Sequence, residues 1–346
     1  MPGYRFGYSY SPEELSDALV RVLFGKPMTA APFLLCYALI SLSGLAADSL
    51  VEAQDLYLHA KYESVVKILS SGGSPTSAGA CFLLGKTYYR LHKTDEAIRQ
   101  LEKAVELEPS NSDYHAWLGM AYLQKALSVS FFTALSWAGK VEREFETAVK
   151  VDPENLDARF DLLEYYLQAP RLVGGGRGKA MAQAQAIAAI NPQQGYSARS
   201  RVFKHDRQFD TAKLELTKST AQFPNNPDAH TDLGEFLLDQ GDYAGAESSA
   251  RKALDVRPDN LNAKFILNAA SVALGKDLAS AEKALAQMSL GPLRDEIDPA
   301  FDEVHYWLGQ AYEKQGNTSQ ARQAYQTALR FEPDNATAKS ALARLR

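Results

Sequence analysis

The chain has 346 residues, 46% apolar and 23% charged, enough buriable surface to exclude an intrinsically disordered polypeptide. Lys and Arg total 37 against 42 Asp and Glu, a formal charge of −5, so there is no general basic footprint for nucleic acid. Two cysteines exclude a disulfide framework and a thiolate-rich zinc site.

Within residues 1–27, Ser11-Pro12-Glu13-Glu14 reads as a helix start, with Ser11 as cap and Pro12 in the first turn. This segment is either a short cytoplasmic helix or lies ahead of a true start at Met28. No charged residue occurs between Lys26 and Asp48, and the apolar stretch 30–47 ends in small residues. Arg21 and Lys26 precede it, while Asp48, Glu52 and Asp55 follow, which is the charge order of an exported segment. Gly44 and Ala46 suit cleavage after Ala46. Segment 28–47 is also close to the ~20 apolar residues that span a bilayer. A cleaved signal peptide, an uncleaved anchor and a buried core helix all remain open, and Pro32 with the small-residue end favours cleavage. The expected location is periplasmic or secreted, the alternative being an inner-membrane anchor with the remaining chain outside the cytoplasm. Phe33-Leu34-Leu35 before Cys36 lacks the small residues that precede a lipidated cysteine. Cys81 would then be the one cysteine of the exported part.

From Ser49 onward the chain repeats. Prolines close similar phrases at Pro109 (Ala-Val-Glu-Leu-Glu-Pro), Pro153, Pro192, Pro224, Pro258, Pro299 and Pro333, at successive spacings of 44, 39, 32, 34, 41 and 34. Four units share a pattern of small and large residues. In 78–111 it is Leu84-Gly85, Tyr88, Ala97, Leu101, Ala104 and Pro109. In 112–155 it is Leu118-Gly119, Tyr122, Phe145, Ala148 and Pro153. In 227–260 it is Leu233-Gly234, Gly241, Tyr243, Ala246, Ala253 and Pro258. In 302–335 it is Leu308-Gly309, Tyr312, Gly316, Ala321, Tyr325, Ala328 and Pro333. Units 156–192, 193–226 and 261–301 are degenerate, with Leu163, Ser200 and Asn268 where glycine would stand, and a partial unit covers about 49–73.

This pattern resembles the tetratricopeptide repeat, a helix–turn–helix module of 34 residues. The resemblance implies an all-α, right-handed superhelical solenoid of about eight units over 48–335, closed by a polar-faced capping helix over 336–346. Small residues let the two helices of a pair approach, larger ones fill the space between them, and proline turns the chain into the next pair.

Surplus residues fall in three places. Ser128–Trp137 adds Phe131, Phe132 and Trp137, which either form an exposed contact patch or pack between longer helices. The phrase Ala169-Pro170-Arg171-Leu172-Val173-Gly174-Gly175-Gly176-Arg177-Gly178-Lys179-Ala180 fails as a P-loop, because Val173 replaces the first glycine and Ala180 the magnesium-binding hydroxyl. An anion nest over Gly174–Lys179 and a purely structural turn both remain open. The same phrase after a lengthened unit resembles bacterial exported tetratricopeptide proteins of unassigned activity. The third surplus, Met288–Pro299, reads as a loop.

Chemistry is sparse. His115, His230 and His305 share the fourth repeat position, a packing site, and no His pair has metal-ligand spacing. There is no HExxH and no G-x-S-x-G elbow, so the expectation is no catalytic residue, no metal and no cofactor. The family resemblance places the second, fifth, ninth, twelfth and thirteenth residues of each first helix on a concave face. These are Phe82, Lys86, Tyr89 and Arg90; Met120 and Leu123; Phe160, Glu164 and Gln168; Arg201, Lys204 and His205; Glu235 and Asp239; and Tyr306, Gln310 and Lys314. Aromatic anchors beside separated charges suit a peptide or helix of a partner protein, and a solvated face is the alternative for each residue. The family's carboxylate clamp needs Asn at ninth positions, where Lys86, Met120, Glu235 and Gln310 stand. The expected function is a non-catalytic interaction scaffold, with a cell-envelope or export accessory using Phe131, Phe132 and Trp137 as the alternative.

Overall fold

The computed structural model describes residues 49–71, 73, 75–291 and 299–345, which form helices and turns with no strand among them. The segment 1–27, the apolar stretch 28–47 and most of the loop before Pro299 lie outside the described residues. The chain divides into two compact units, Met1–Val51 and Glu52–Arg346, and the second holds the repeats.

A helix over 49–58 (α1) is followed by α2 (Tyr62–Ser70), and then come six full antiparallel pairs. They are α3 (Ala78–Arg90) with α4 (Thr94–Leu107), α5 (Ser112–Ser128) with α6 (Phe131–Val151), and α7 (Leu156–Gln168) with α8 (Arg177–Ile190). Next are α9 (Pro192–His205) with α10 (Phe209–Gln222), α11 (Pro227–Asp239) with α12 (Tyr243–Val256), and α13 (Leu261–Leu274) with α14 (Leu278–Met288). A further pair, α15 (Phe301–Lys314) with α16 (Thr318–Phe331), leads into α17 (Ala336–Arg344). Each helix packs mainly on its chain neighbours, and first helices of successive pairs also touch. That is the nearest-neighbour packing of a solenoid.

Local sequence explains the pairs. Where glycine stands at the eighth position, the facing helix fills the space. A Cβ on Gly85 would lie 2.6 Å from Leu101 Cγ, one on Gly119 2.8 Å from the Phe145 ring, and one on Gly309 2.5 Å from the Tyr325 ring. Opposite Gly234 stands the small Ser249, and there a Cβ would meet only ordinary contacts at 3.4 Å. Between pairs, an asparagine two residues after proline caps the next helix. Asn111, Asn155, Asn226, Asn260 and Asn335 each accept a bond from the second or third N–H of the helix that follows. Pro192 departs from this register. It is the first residue of α9, with Asn191 as cap, rather than the close of the preceding unit.

Both helices of the second full pair are lengthened by the surplus. Phe131–Trp137 lies inside the 21-residue α6 rather than in a loop. Trp137 packs on Tyr122 at 5.5 Å between ring centres, while Phe131 and Phe132 remain 65% and 83% exposed. The two sequence readings therefore divide between the residues: the tryptophan packs and the phenylalanines project.

The first and last pairs of this unit meet. His92 Nε2 donates to the Phe331 carbonyl at 3.2 Å, from a left-handed turn residue with φ of 55°. Tyr57, Tyr62 and Arg90 face Phe301, Asp302, Phe331 and Glu332 across a cavity of about 80 Å³. Beyond it α17 buries Ala338 and Ala341 and leaves Lys339 and Arg344 exposed, the polar outer face a terminal helix requires.

Candidate functional site

The first helices of three successive pairs, α7, α9 and α11, enclose a groove of about 460 Å³. Seven of the residues expected on the concave face line it: Glu164, Gln168, Arg201, Lys204, His205, Glu235 and Asp239. Its floor includes Leu167, Leu216 and Phe236, supplied by the same packing that forms the core. Helical spacing puts such residues on one face a turn apart, and stacking the pairs brings those faces together.

Charge in the groove is organised across helices. Arg201 reaches back to Glu164 at 3.3 Å and lies 4.9 Å from the Phe160 ring centre, while Lys204 reaches forward to Asp239. Gln193 donates to Asp232 at 2.9 Å. Burial raises the Asp161 carboxyl to about 7, helped by Asp157, Glu164 and Asp113 and opposed by Arg201. Asp232 is raised to about 6 by burial, against its bond from Gln193 and the nearby Arg201. Neither Asp161 nor Asp232 stands at a consensus position of the repeat, and the 34-residue pattern gave no signal for them.

The expected residues outside this groove are engaged differently. The Lys86 ammonium lies 5.0 Å from the Tyr57 and Phe82 ring centres and 4.7 Å from that of Trp117. Burial lowers its pKa to about 7, with Arg90 adding to the effect and Asp113 opposing it. Arg90 lies 5.7 Å from Trp117, and Tyr89 stacks edge-on against the same indole at 5.6 Å. Lys86, Tyr89 and Arg90 thus belong to an aromatic cluster beside the junction of first and last pairs, and a reversed charge there would disturb packing. Met120, Leu123 and Phe160 are partly buried against the core. Gln310 donates to the Tyr325 hydroxyl at 2.7 Å, Tyr306 packs on that ring at 6.0 Å, and Lys314 donates to the Ala273 carbonyl at 2.9 Å. These last three are tied into the final pairs.

The fourth-position histidines are packing residues. His115 and His230 donate through Nε2 to the Pro109 and Pro224 carbonyls, at 3.0 and 2.9 Å, pinning each first helix to the loop before it. His115 also bonds Glu144 at 2.8 Å, and that bond raises its pKa. His305 stacks on Phe331 and is lowered to about 4 by burial and by Arg330. Cys81 is buried, and burial raises its pKa.

Four N–H groups of the glycine-rich turn are spent within the chain. The Gly174, Gly175, Gly176 and Lys179 N–H groups donate to the Arg171, Pro170, Tyr166 and Gly176 carbonyls. The Lys179 ammonium is 2.7 Å from Glu142 and Arg177 is 2.5 Å from Asp206, so carboxylates already neutralise both cations. A Cβ at Gly175 would lie 1.7 Å from the Ala169 carbonyl oxygen, which accounts for glycine there. Among the described residues no cluster of His, Cys, Asp and Glu has metal-binding geometry, and no helix is long and apolar enough to cross a membrane.

Stacked helix pairs with a charged groove on their first helices define a helical-repeat interaction solenoid. Family models described as tetratricopeptide repeat match residues 302–335 and the overlapping stretches 198–263 and 237–300, and one described as TPR repeat matches 85–125. The chain belongs to the tetratricopeptide repeat family. A model described as anaphase-promoting complex, cyclosome, subunit 3, matches 30–104. Among solved structures, yeast Tom70 matches with a TM-score of 0.51 at 14% identity, over 83% of this chain and 57% of that one. A chain of the APC/C hetero-tetramer Cut9-Hcn1 matches at 0.44 and 17% identity, over 86% and 55% respectively. A tetratricopeptide repeat protein from Parabacteroides merdae matches at 0.45 and 13%, over 78% and 98%. The alignments thus span little more than half the length of Tom70 and of the Cut9-Hcn1 chain. No curated protein matches the sequence significantly.

Proposed function

We propose that the protein is a non-catalytic scaffold that holds an extended segment or helix of a partner protein in the groove of α7, α9 and α11. The observation that carries this reading is the convergence of Glu164, Arg201, Lys204, Glu235 and Asp239, from three successive pairs, on one groove of about 460 Å³. A face contributed by repeated first helices offers evenly spaced polar contacts over an apolar floor, which suits a chain laid across the pairs. The charge order around the apolar leader supports placing this scaffold outside the cytoplasm, as an exported or membrane-anchored protein. N-terminal sequencing of the mature chain tests that placement: a mature chain beginning near Asp48 supports export, and one retaining 28–47 supports the anchor.

Photo-crosslinking tests the groove. A crosslinkable residue at Glu235 or Gln168 should capture a partner segment that the same residue at Leu214, exposed on the second helix α10, does not. Capture only from Leu214 would overturn the reading. A second reading rests on the exposed Phe131 and Phe132, which make an edge-on pair 5.7 Å apart at the tip of α6. Partner capture that survives groove substitutions and is lost on replacing these two rings by serine would favour that tip.

A further inference from the structure

The two helices of the α5–α6 pair are lengthened at the same end. α5 starts from its asparagine cap and α6 stops two residues before Pro153, as in the regular pairs, so the surplus falls at the hairpin that joins them. With 17 and 21 residues against 13 and 14 in the preceding pair, they carry that hairpin ~6–10 Å beyond its neighbours. Bonds to the adjoining pairs fall at Gln124 and Lys125 on one side and at Ala138 and Glu142 on the other. Between them, residues 126–137 hold no charge, and Leu127 at 78% joins Phe131 and Phe132 in solvent. We propose that this tip docks on a lipid bilayer, with Leu127, Phe131 and Phe132 entering the boundary between headgroups and acyl chains. The inference concerns the tip alone and does not rest on the groove.

Area and hydrogen bonding favour lipid over a protein partner. At ~200 Å² per large side chain, the exposed parts of the three residues come to ~400 Å². Each side of a specific protein complex buries ~800 Å², about twice what this narrow tip offers, whereas a bilayer requires no matching surface of that size. The hydroxyls of the tip are also bonded inward. Ser128 donates to the Lys125 carbonyl at 2.9 Å, Ser136 to the Thr133 carbonyl at 2.7 Å, and Ser130 and Thr133 bond each other at 3.0 Å. Hydroxyls partnered in this way lose little on leaving water, while a protein interface is laced with direct hydrogen bonds between the two surfaces.

The first charges behind the tip fit the same surface. They are Lys125 on α5 and Lys140 on α6. Lys140 stands ~12 Å along the helix from Phe132, which is headgroup level for a tip buried by ~5–10 Å. Its ammonium lies 4.5 Å from the Trp137 ring centre and 5.1 Å from that of Tyr122, with an apolar surface beneath its stem. Lys125 is matched by Asp95 at 2.7 Å, so entry of the apolar side chains, rather than attraction to anionic lipid, carries the contact. No helix among the described residues is long and apolar enough to cross a membrane, and the docking is accordingly peripheral.

A polarity-sensitive fluorescent amino acid, placed in the full-length chain at Phe132 or, as control, at the exposed Leu214 of α10, tests the proposal on phosphatidylcholine vesicles with and without phosphatidylglycerol. The probe at 132 should shift to the blue and be quenched by brominated acyl chains on both kinds of vesicle, and the probe at 214 should do neither. Adding Leu127→Ser and Phe131→Ser should reduce the quenching at 132 at least ~fivefold. Quenching that survives those substitutions overturns the role given to the apolar side chains, and quenching confined to vesicles with phosphatidylglycerol overturns the apolar basis of the contact. A probe at 132 that stays in water while the chain binds vesicles, as when segment 28–47 alone enters the bilayer, overturns the proposal and leaves the tip to a protein. No vesicle binding, or equal quenching at both positions through general adsorption, overturns it as well.

Discussion

The contact between Gly119 and Phe145 allows a test in which the sign of a mutational effect should invert. Phe145 is 1% exposed, and its ring would lie 2.8 Å from a Cβ at position 119. Gly119→Ala gains ~1 kcal/mol of helix propensity but must displace that ring, an overpacking cost of ~1–3 kcal/mol. The net expectation in the native background is a loss of ~1 kcal/mol. Phe145→Ala alone opens a cavity and costs ~3–5 kcal/mol. In that background the methyl group at 119 meets no ring, keeps the propensity gain and fills part of the void, so Gly119→Ala should now stabilise by ~1 kcal/mol. The coupling is then ~2 kcal/mol, within the range for residues in direct contact. Urea unfolding followed by tryptophan fluorescence reads it, since Trp117 and Trp137 lie on the two helices concerned. Equal effects of Gly119→Ala in both backgrounds would refute the view that the eighth position is small because the facing ring occupies its space.

Other perturbations follow from the same geometry. The Asp161 carboxyl, ordinarily at 3.8, stands at about 7 in the folded chain, so between those values the unfolded state sheds a proton that the folded state keeps, and stability falls as pH rises. The span corresponds to ~4 kcal/mol at most, and solvent screening of this partly exposed group reduces it to ~1–2 kcal/mol. Asp161→Asn should flatten the difference between urea midpoints at pH 5 and pH 8, and an unaltered slope would count against a buried, field-raised carboxyl. Glu332→Arg, at an exposed position, sets a second guanidinium against Arg90 across the cavity between first and last pairs. Small-angle scattering should show a larger radius of gyration at unchanged helicity, and an unchanged radius would mean that the two ends do not meet in solution. Arg207→Gly should stabilise by ~1 kcal/mol in thermal unfolding, because Arg207 holds a φ of 58° in a turn where Gly241 and Gly316 occupy the equivalent place. Replacing Phe131 and Phe132 by serine should move the melting free energy by less than ~0.5 kcal/mol, since both rings face solvent, and a larger loss would show that they pack.

The helix pairs were legible in the sequence because their determinants are local. Leu84-Gly85 facing Leu101, or Leu308-Gly309 facing Tyr325, repeats a contact within some twenty residues, and proline spacing marks each boundary. The capping asparagines were equally visible as Pro-x-Asn at 109–111, 153–155, 224–226, 258–260 and 333–335, a signal that proline spacing alone overlooks. The concave positions of α7, α9 and α11 could be assigned by register, because successive regular pairs carry that register forward with little drift. The same rule misjudged the environment of Lys86 and Arg90. Their surroundings include Tyr57 and, across the cavity from Arg90, Phe331 and Glu332, residues brought near only after every intervening pair has added its rotation. A junction made by summed rotations depends on each pair's geometry, including the lengthened α5 and α6, and no window of sequence contains it. The charge environment of Asp161 has the same origin. Its neighbours Asp113, Arg201 and Tyr89 come from three different pairs, so the identity of the residue was readable but the field acting on it was not. For a protein of this architecture, which residues share a face of the first helices follows from repeat register, whereas the field acting on them follows from how the pairs curve around one another.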